Sequence, residues 1–315
     1  MNPCEPSHRG QPKLGSMIVP SPYHDLLASI PVQRHSVDVL GSTTRYWEYG
    51  DPQSAVTIVA VHGFRGDHHG LEPVIAQLSG FRIISPDLPG FGESEPLVGL
   101  THDIDGYRRW LTAFVAAVPP TGRFVILGHS FGSIVVSATV AGGLRADDVV
   151  LVNPIAAPAL SGPRGILTRL AVFYYWAGAK LPERLGFALL RNRVIVRVTS
   201  VAMVKTKDPE LRRWIHNQHD RYFSAFSSRS VVLEAFKASV GNDVSEFAAA
   251  IPERTLLIAA EKDDITTVAA QHRLQKLFPD ATLQVIPNVG HLIHYEMPAT
   301  AAAHLQSFLD EEKPA

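Results

Sequence analysis

The stretch Phe124-Val125-Ile126-Leu127-Gly128-His129-Ser130-Phe131-Gly132 runs four apolar residues into a serine with a glycine two places to either side. A short apolar run bounded by glycine is what a strand buried on both faces requires. The glycine-spaced serine marks a sharp turn out of that strand, and residues 131–141 that follow have helical length and spacing. So tight a turn strains the backbone of its central residue, and small residues must then flank it at 128 and 132. It also exposes the hydroxyl beside a helix N-terminus, whose positive end favours a developing oxyanion. Ser130 is the candidate nucleophile. The plain alternative for five residues is a tight turn carrying a surface serine.

Outward from this stretch the same grammar repeats. Residues 56–61 form another continuous apolar run, followed by His62-Gly63-Phe64-Arg65-Gly66. Residues 37–39 and 43–49 read as an opening hairpin with Gly41-Ser42 near its turn. Further strands are expected at 82–85, 149–152, 255–260 and 282–286, and helices at 103–118, 268–278 and 298–309. Between Asn153-Pro154 and residue 241 the chain is helical in character throughout. The expectation is an α/β fold: a mostly parallel eight-stranded sheet with helices on both faces and a helical insertion after the sixth strand. The expected division is a flexible tail at 1–22, a core at 23–154 and 241–315, and the insertion at 155–240.

Charge follows that division. The 315 residues carry a net charge of −1, but residues 155–240 hold 14 basic against 5 acidic side chains. The remainder holds 15 against 25, so a basic insertion of +9 sits on an acidic core of −10. The whole has no bulk charge to attract nucleic acid or anionic lipid. Cys4 is the only cysteine, so no intramolecular disulfide and no thiolate metal site can form. No run reaches the roughly 18 apolar residues of a membrane span, and residues 1–16 lack a signal-peptide core. A cytoplasmic protein is expected.

A nucleophilic serine needs a base, and the base needs an orienting acid. One strand ends in Glu261-Lys262-Asp263-Asp264 and the last ends in Pro287-Asn288-Val289-Gly290-His291. Groups just past the carboxyl ends of parallel strands are where such sheets gather their sites. Asp263 and His291 are therefore the candidate acid and base, with Asp264 the neighbour that a one-residue slip would substitute. His68 and His69 are adjacent, a spacing expected to point their rings apart, and neither a metal nor a cofactor is expected.

Together these stretches resemble the α/β-hydrolase superfamily, in particular its serine hydrolases of esterase and lipase type with a helical cap after the sixth strand. The segments carrying the resemblance are His62-Gly63-Phe64, Pro86-Asp87-Leu88-Pro89-Gly90-Phe91-Gly92-Glu93-Ser94, Gly128-His129-Ser130-Phe131-Gly132, Glu261-Lys262-Asp263, and Gly290-His291 through Glu296-Met297-Pro298. The resemblance implies backbone N–H groups of Phe64 and Phe131 as the oxyanion hole, with the His62 side chain bracing the loop. It favours Asp263 over Asp264, because Asp264-Ile265 is similar to the family's stretch after the acid, and it leaves His294 to packing or the pocket entrance. It also implies that residues 155–240 roof the site.

Serine rather than aspartate at position 130 disfavours alkyl-enzyme chemistry and points to acyl transfer, most simply on a small carboxylic ester. Thioester or carbon–carbon bond hydrolysis is the alternative on the same triad, and a non-catalytic ligand-binding protein is the alternative from another class. The basic, aromatic cap suits an anionic substrate, a lipid-like one, or simply a solvated outer helix face. Arg65, beside the oxyanion loop, suits a substrate carboxylate or a surface salt bridge.

Overall fold

The computed structural model describes residues 19–157 and 165–311, so Cys4, the tail up to residue 18 and the Arg169 side chain lie outside the described residues. The eight strands are β1 (Val32–Val39), β2 (Ser42–Gly50), β3 (Val56–Val61), β4 (Arg82–Pro86), β5 (Arg123–His129), β6 (Asp148–Val152), β7 (Arg254–Ala260) and β8 (Ala281–Ile286). They form one sheet in the order β1-β2-β4-β3-β5-β6-β7-β8. The β1–β2 and β2–β4 pairs are antiparallel and the others are parallel. Every expected strand is present, and β1 starts five residues earlier than its apolar pattern suggested. Its first residues are mostly exposed, so no alternation announced them. The turn it makes with β2 is Leu40-Gly41, both at positive φ, one residue ahead of the expected Gly41-Ser42.

The central strands are apolar throughout because both faces of the sheet are covered. On one face Val59, Ile126 and Leu257 pack with Trp110, Phe114 and Val135 of the helices Ile104–Ala117 and Phe131–Ala141. On the other, Ile58, Val125 and Ile258 pack with Ala301, Leu305 and Phe308 of the helix Pro298–Asp310. Successive residues of β5 thus serve opposite cores, the period of two that a strand imposes.

Between β6 and β7 lie the helices Gly165–Lys180, Glu183–Leu190, Arg193–Met203, Pro209–Tyr222 and Arg229–Gly241. The breaks follow local chemistry. The side chains of Asn192, Asp208 and Ser228 accept hydrogen bonds from first-turn amides and start three of these helices. Among the described residues, no helix is long and apolar enough to cross a membrane. From Val19 the N-terminal segment is docked: Tyr23 Oη donates to the Tyr295 carbonyl at 2.8 Å, and its ring packs edge-on against Trp214.

The strand order reverses between β3 and β5, which lie side by side with Val61 opposite Gly128. At such a switch point the loops leaving the two carboxyl ends diverge and open a crevice. The segment after Val61 and the turn at Ser130 face each other across it.

Candidate active site

Ser130 sits at φ 54°, ψ −118°, a region that L-residues avoid. The flanking glycines are obligatory for a steric reason. A Cβ on Gly128 would lie 2.5 Å from the Gly132 carbonyl oxygen, and one on Gly132 would lie 2.3 Å from that of Val61. The strained turn is clamped by the Ser130 amide donating to the Val152 carbonyl at 3.0 Å and by the Ser133 amide donating to the Ser130 carbonyl at 2.9 Å.

The structure brings the two distant candidates to this serine. His291 Nε2 lies 2.8 Å from Ser130 Oγ, and its Nδ1 lies 2.8 Å from Asp263 Oδ2. The tautomer that satisfies both contacts donates from Nδ1 to the carboxylate and accepts the serine proton at Nε2. Asn153 Nδ2 donates to the His291 carbonyl at 2.6 Å, fixing the backbone of the candidate base. The second oxygen of Asp263, Oδ1, accepts from the amides of Ile265 and Thr266 at 2.7 and 3.3 Å. Burial pushes this carboxyl up, but the His291 ring and the two amides outweigh it and hold it below the usual carboxylate range. Asp264 points away and pairs with Lys205 at the surface.

Phe131 opens its helix, so its N–H has no acceptor within that helix. Phe64 follows β3 on a loop so close that a Cβ on Gly63 would lie 3.2 Å from Ser130 Cβ. Among the described residues neither amide makes a hydrogen bond, and both flank the serine. His62 braces that loop, with Nδ1 donating to the Gly63 carbonyl and Nε2 accepting from the Leu88 amide, each at 2.8 Å.

Three further imidazoles crowd the site. His129 and His294 are buried with their rings 4.1 Å apart, and His294 lines the cavity. Burial first, and mutual proximity with His291 second, holds His129 down at about 3 and His294 well below the usual imidazole range. Both are neutral at pH 7. His219, on the roof, is likewise pushed down to about 3 by burial. Its Nδ1 shares the Ser200 hydroxyl with His216 Nδ1, each at 2.6 Å. Sequence spacing had not singled out this trio, because Ser200 stands on a different helix from the two histidines.

Two expectations are corrected. Arg65 is no surface residue: it is 3% exposed and makes no salt bridge among the described residues. Its Nε and Nη2 donate to the carbonyls of Phe223 and Leu190 at 2.8 and 2.9 Å, and Nη1 donates to Tyr175 Oη at 3.2 Å. The reason is packing, since the insertion descends onto the loop and encloses the side chain. The rings of His68 and His69 do not diverge either; their centroids are 3.9 Å apart. With Asp67 they offer three ligand-type atoms within 4.8 Å of one another. Their Nδ1 atoms are engaged by Asp87 and Asp67 respectively.

Above the serine lies a cavity of about 540 Å³. Phe64 and Phe131 of the core line it, with Ile155, Tyr175, Val196 and Phe236 from the insertion. The arrangement supplies a hydroxyl in hydrogen-bond contact with an imidazole, two unengaged amides and an apolar chamber.

Comparison with known proteins agrees with this architecture. A family model described as the alpha/beta hydrolase family matches residues 58–304. Lipase 1 of Psychrobacter immobilis is 22% identical over 260 residues, covering 80% of this chain and 76% of the relative. The hydrolase YugF of Bacillus subtilis (strain 168) is 25% identical over 282 residues, covering 89% and 98%. The solved structure of an esterase from Exiguobacterium antarcticum superposes with a TM-score of 0.72 at 16% identity, covering 89% of this chain and all (100%) of the other. The chain belongs to the alpha/beta hydrolase family and is a hydrolase by that membership.

Proposed function

We propose that the protein is a carboxylic ester hydrolase working through an acyl-enzyme on Ser130, with His291 as base, Asp263 as orienting acid, and the amides of Phe64 and Phe131 as the oxyanion hole. The observation that carries this reading is the unbroken hydrogen-bonded line from Ser130 through His291 to Asp263, both contacts at 2.8 Å, at the floor of an apolar chamber. In this mechanism His291 Nε2 takes the serine proton as Oγ attacks the ester carbonyl, and the imidazolium is stabilised by Asp263. The carbonyl oxygen gains charge between the two amides. His291 then protonates the departing alcohol, and deprotonates the water that frees the acid.

The lining favours an apolar acyl group, because burying it repays transfer from water while the ester carbonyl finds its donors at the floor. The names of the similar proteins, a lipase and an esterase, point the same way. The insertion side chains that line the chamber, Tyr175, Val196 and Phe236, act in this proposal as the roof that sets acyl length.

Labelling by a fluorophosphonate probe tests the nucleophile: wild-type protein becomes covalently modified and Ser130→Ala does not. Folded wild-type protein that resists the probe and leaves p-nitrophenyl esters of every acyl length intact overturns the reading.

A further inference from the structure

The outward face of the insertion is not built like a solvated surface. On the helix Arg193–Met203, Val194, Val198 and Val201 fall at i, i+4 and i+7, a single stripe, and the first two are 70% and 63% exposed. A helix of a soluble domain turns such a stripe to the core; here Ile195 and Val196 face the cavity while the valines face out. On the helix Gly165–Lys180, Phe173 and Trp176 stack at 5.7 Å and are 62% and 45% exposed. Leu181 and Leu185 carry the exposed apolar surface onward along the chain.

The charges between these residues are nearly all of one sign. Residues 165–204 contain six basic side chains and a single acid, Glu183. Lys180, Arg184 and Arg193 are exposed and have no ion-pair partner among the described residues. The mouth of the cavity opens beside the Phe173–Trp176 pair, because Leu170, one turn earlier on the same helix, lines the cavity and is 59% exposed.

We propose that this face docks on an anionic lipid bilayer, with the valine stripe and the Phe173–Trp176 pair in the headgroup zone and the basic side chains against acidic headgroups. Interleaved apolar and basic residues on helices that lie flat are the pattern that binds such an interface. A second copy of the chain matches the apolar residues but not the charge, since a two-fold contact sets one basic face against another. The docked orientation turns the cavity mouth towards the lipid; delivery of a bilayer-borne ester to Ser130 rests on the ester reading, whereas the docking itself does not.

The test uses the full chain with vesicles of phosphatidylcholine alone or mixed with phosphatidylglycerol. Of the four tryptophans, Trp47, Trp110 and Trp214 are buried, so a vesicle-induced emission shift reports Trp176. Expected results are co-sedimentation with the anionic vesicles about tenfold stronger than with neutral ones, weakening with salt, and a blue shift absent from Trp176→Phe. The double variant Val194→Asp/Val198→Asp lowers partitioning by about tenfold or more, and Phe173→Ser on the helix Gly165–Lys180 lowers it independently. Turnover of a soluble short-chain ester is unchanged in both variants. Vesicle binding without such turnover supports the docking and counts against the ester reading alone. Absence of binding to anionic vesicles, equal binding by the double variant, or a dimer that these substitutions dissolve overturns the proposal.

Discussion

Arg65 and Leu190 stand 125 residues apart in sequence, yet Arg65 Nη2 donates to the Leu190 carbonyl at 2.9 Å inside the molecule. The loop that places Phe64 beside the serine is thereby tied to the insertion above it. A guanidinium stays charged under all ordinary conditions, and no carboxylate pairs with this one among the described residues. Its solvation comes instead from two backbone carbonyls, a tyrosine hydroxyl, and the ring faces of Phe223 and Phe226 at 4.5 and 5.4 Å.

Arg65→Met keeps the aliphatic stem but strands the Phe223 and Leu190 carbonyls. Unmade hydrogen bonds to a buried charged group cost about 2–4 kcal/mol, so the urea midpoint should fall clearly and ester turnover with it. Arg65→Lys recovers little, because one ammonium cannot reach carbonyls served by a planar fork. An unchanged urea midpoint in Arg65→Met removes the strut argument.

The backbone at Ser130 predicts an inversion of the usual glycine penalty. At φ 54°, ψ −118° a Cβ is strained whatever side chain follows it. Ser130→Ala and Ser130→Gly both lose the hydroxyl and its bond to His291, but only glycine relaxes the turn. Ser130→Gly should be the more stable of the two by about 1 kcal/mol in urea unfolding. A lower midpoint for the glycine variant contradicts the strain.

How legible all this was depended on what each residue answers to. The runs of β3, β5 and β6 were readable because two covered faces demand continuous apolar sequence. The first residues of β1 were not, because an exposed edge places no such demand on them. The elbow was readable since backbone sterics admit only glycine at 128 and 132. The surface salt bridge read for Arg65 failed because its partners are carbonyls, which carry no residue identity, on a segment whose descent onto the loop is a packing result. Likewise the adjacency of Asp263 and Asp264 hides a difference visible only in space: one carboxylate faces His291 and the other Lys205.

Asp263→Asn and Asp264→Asn separate those two roles. The first replaces the acceptor that fixes the His291 tautomer, and loss of kcat by about 10⁴ is expected from that change of tautomer. The second removes a surface ion pair worth at most about 1 kcal/mol and should leave kcat intact. The pH dependence has a defined sign. A carboxyl held below its unfolded value stabilises the protein above that value, near 3.9, and loses the contribution as pH falls through the folded one. The stability gap between wild type and Asp263→Asn should therefore be present at pH 7 and close below about pH 4. A large kcat loss in Asp264→Asn instead would reverse the assignment.

His294 predicts acid sensitivity in a milder range. It is buried beside His129, its Nδ1 has no hydrogen-bond partner, and burial holds it well below the ordinary imidazole value. Both folded and unfolded chains keep it neutral at pH 7.5. As pH falls below about 6.5, the unfolded chain takes up the proton and the folded one does not. Stability is then lost at up to about 1.4 kcal/mol per pH unit for this one group. His294→Phe removes both the proton uptake and the unpartnered nitrogen while retaining a ring against His129. Measured by urea unfolding, the difference between variant and wild type should move in the variant's favour by about 1 kcal/mol between pH 7.5 and 5.5. A difference that stays constant over that range would mean that His294 binds its proton equally well in both states, and burial would not be what sets its titration.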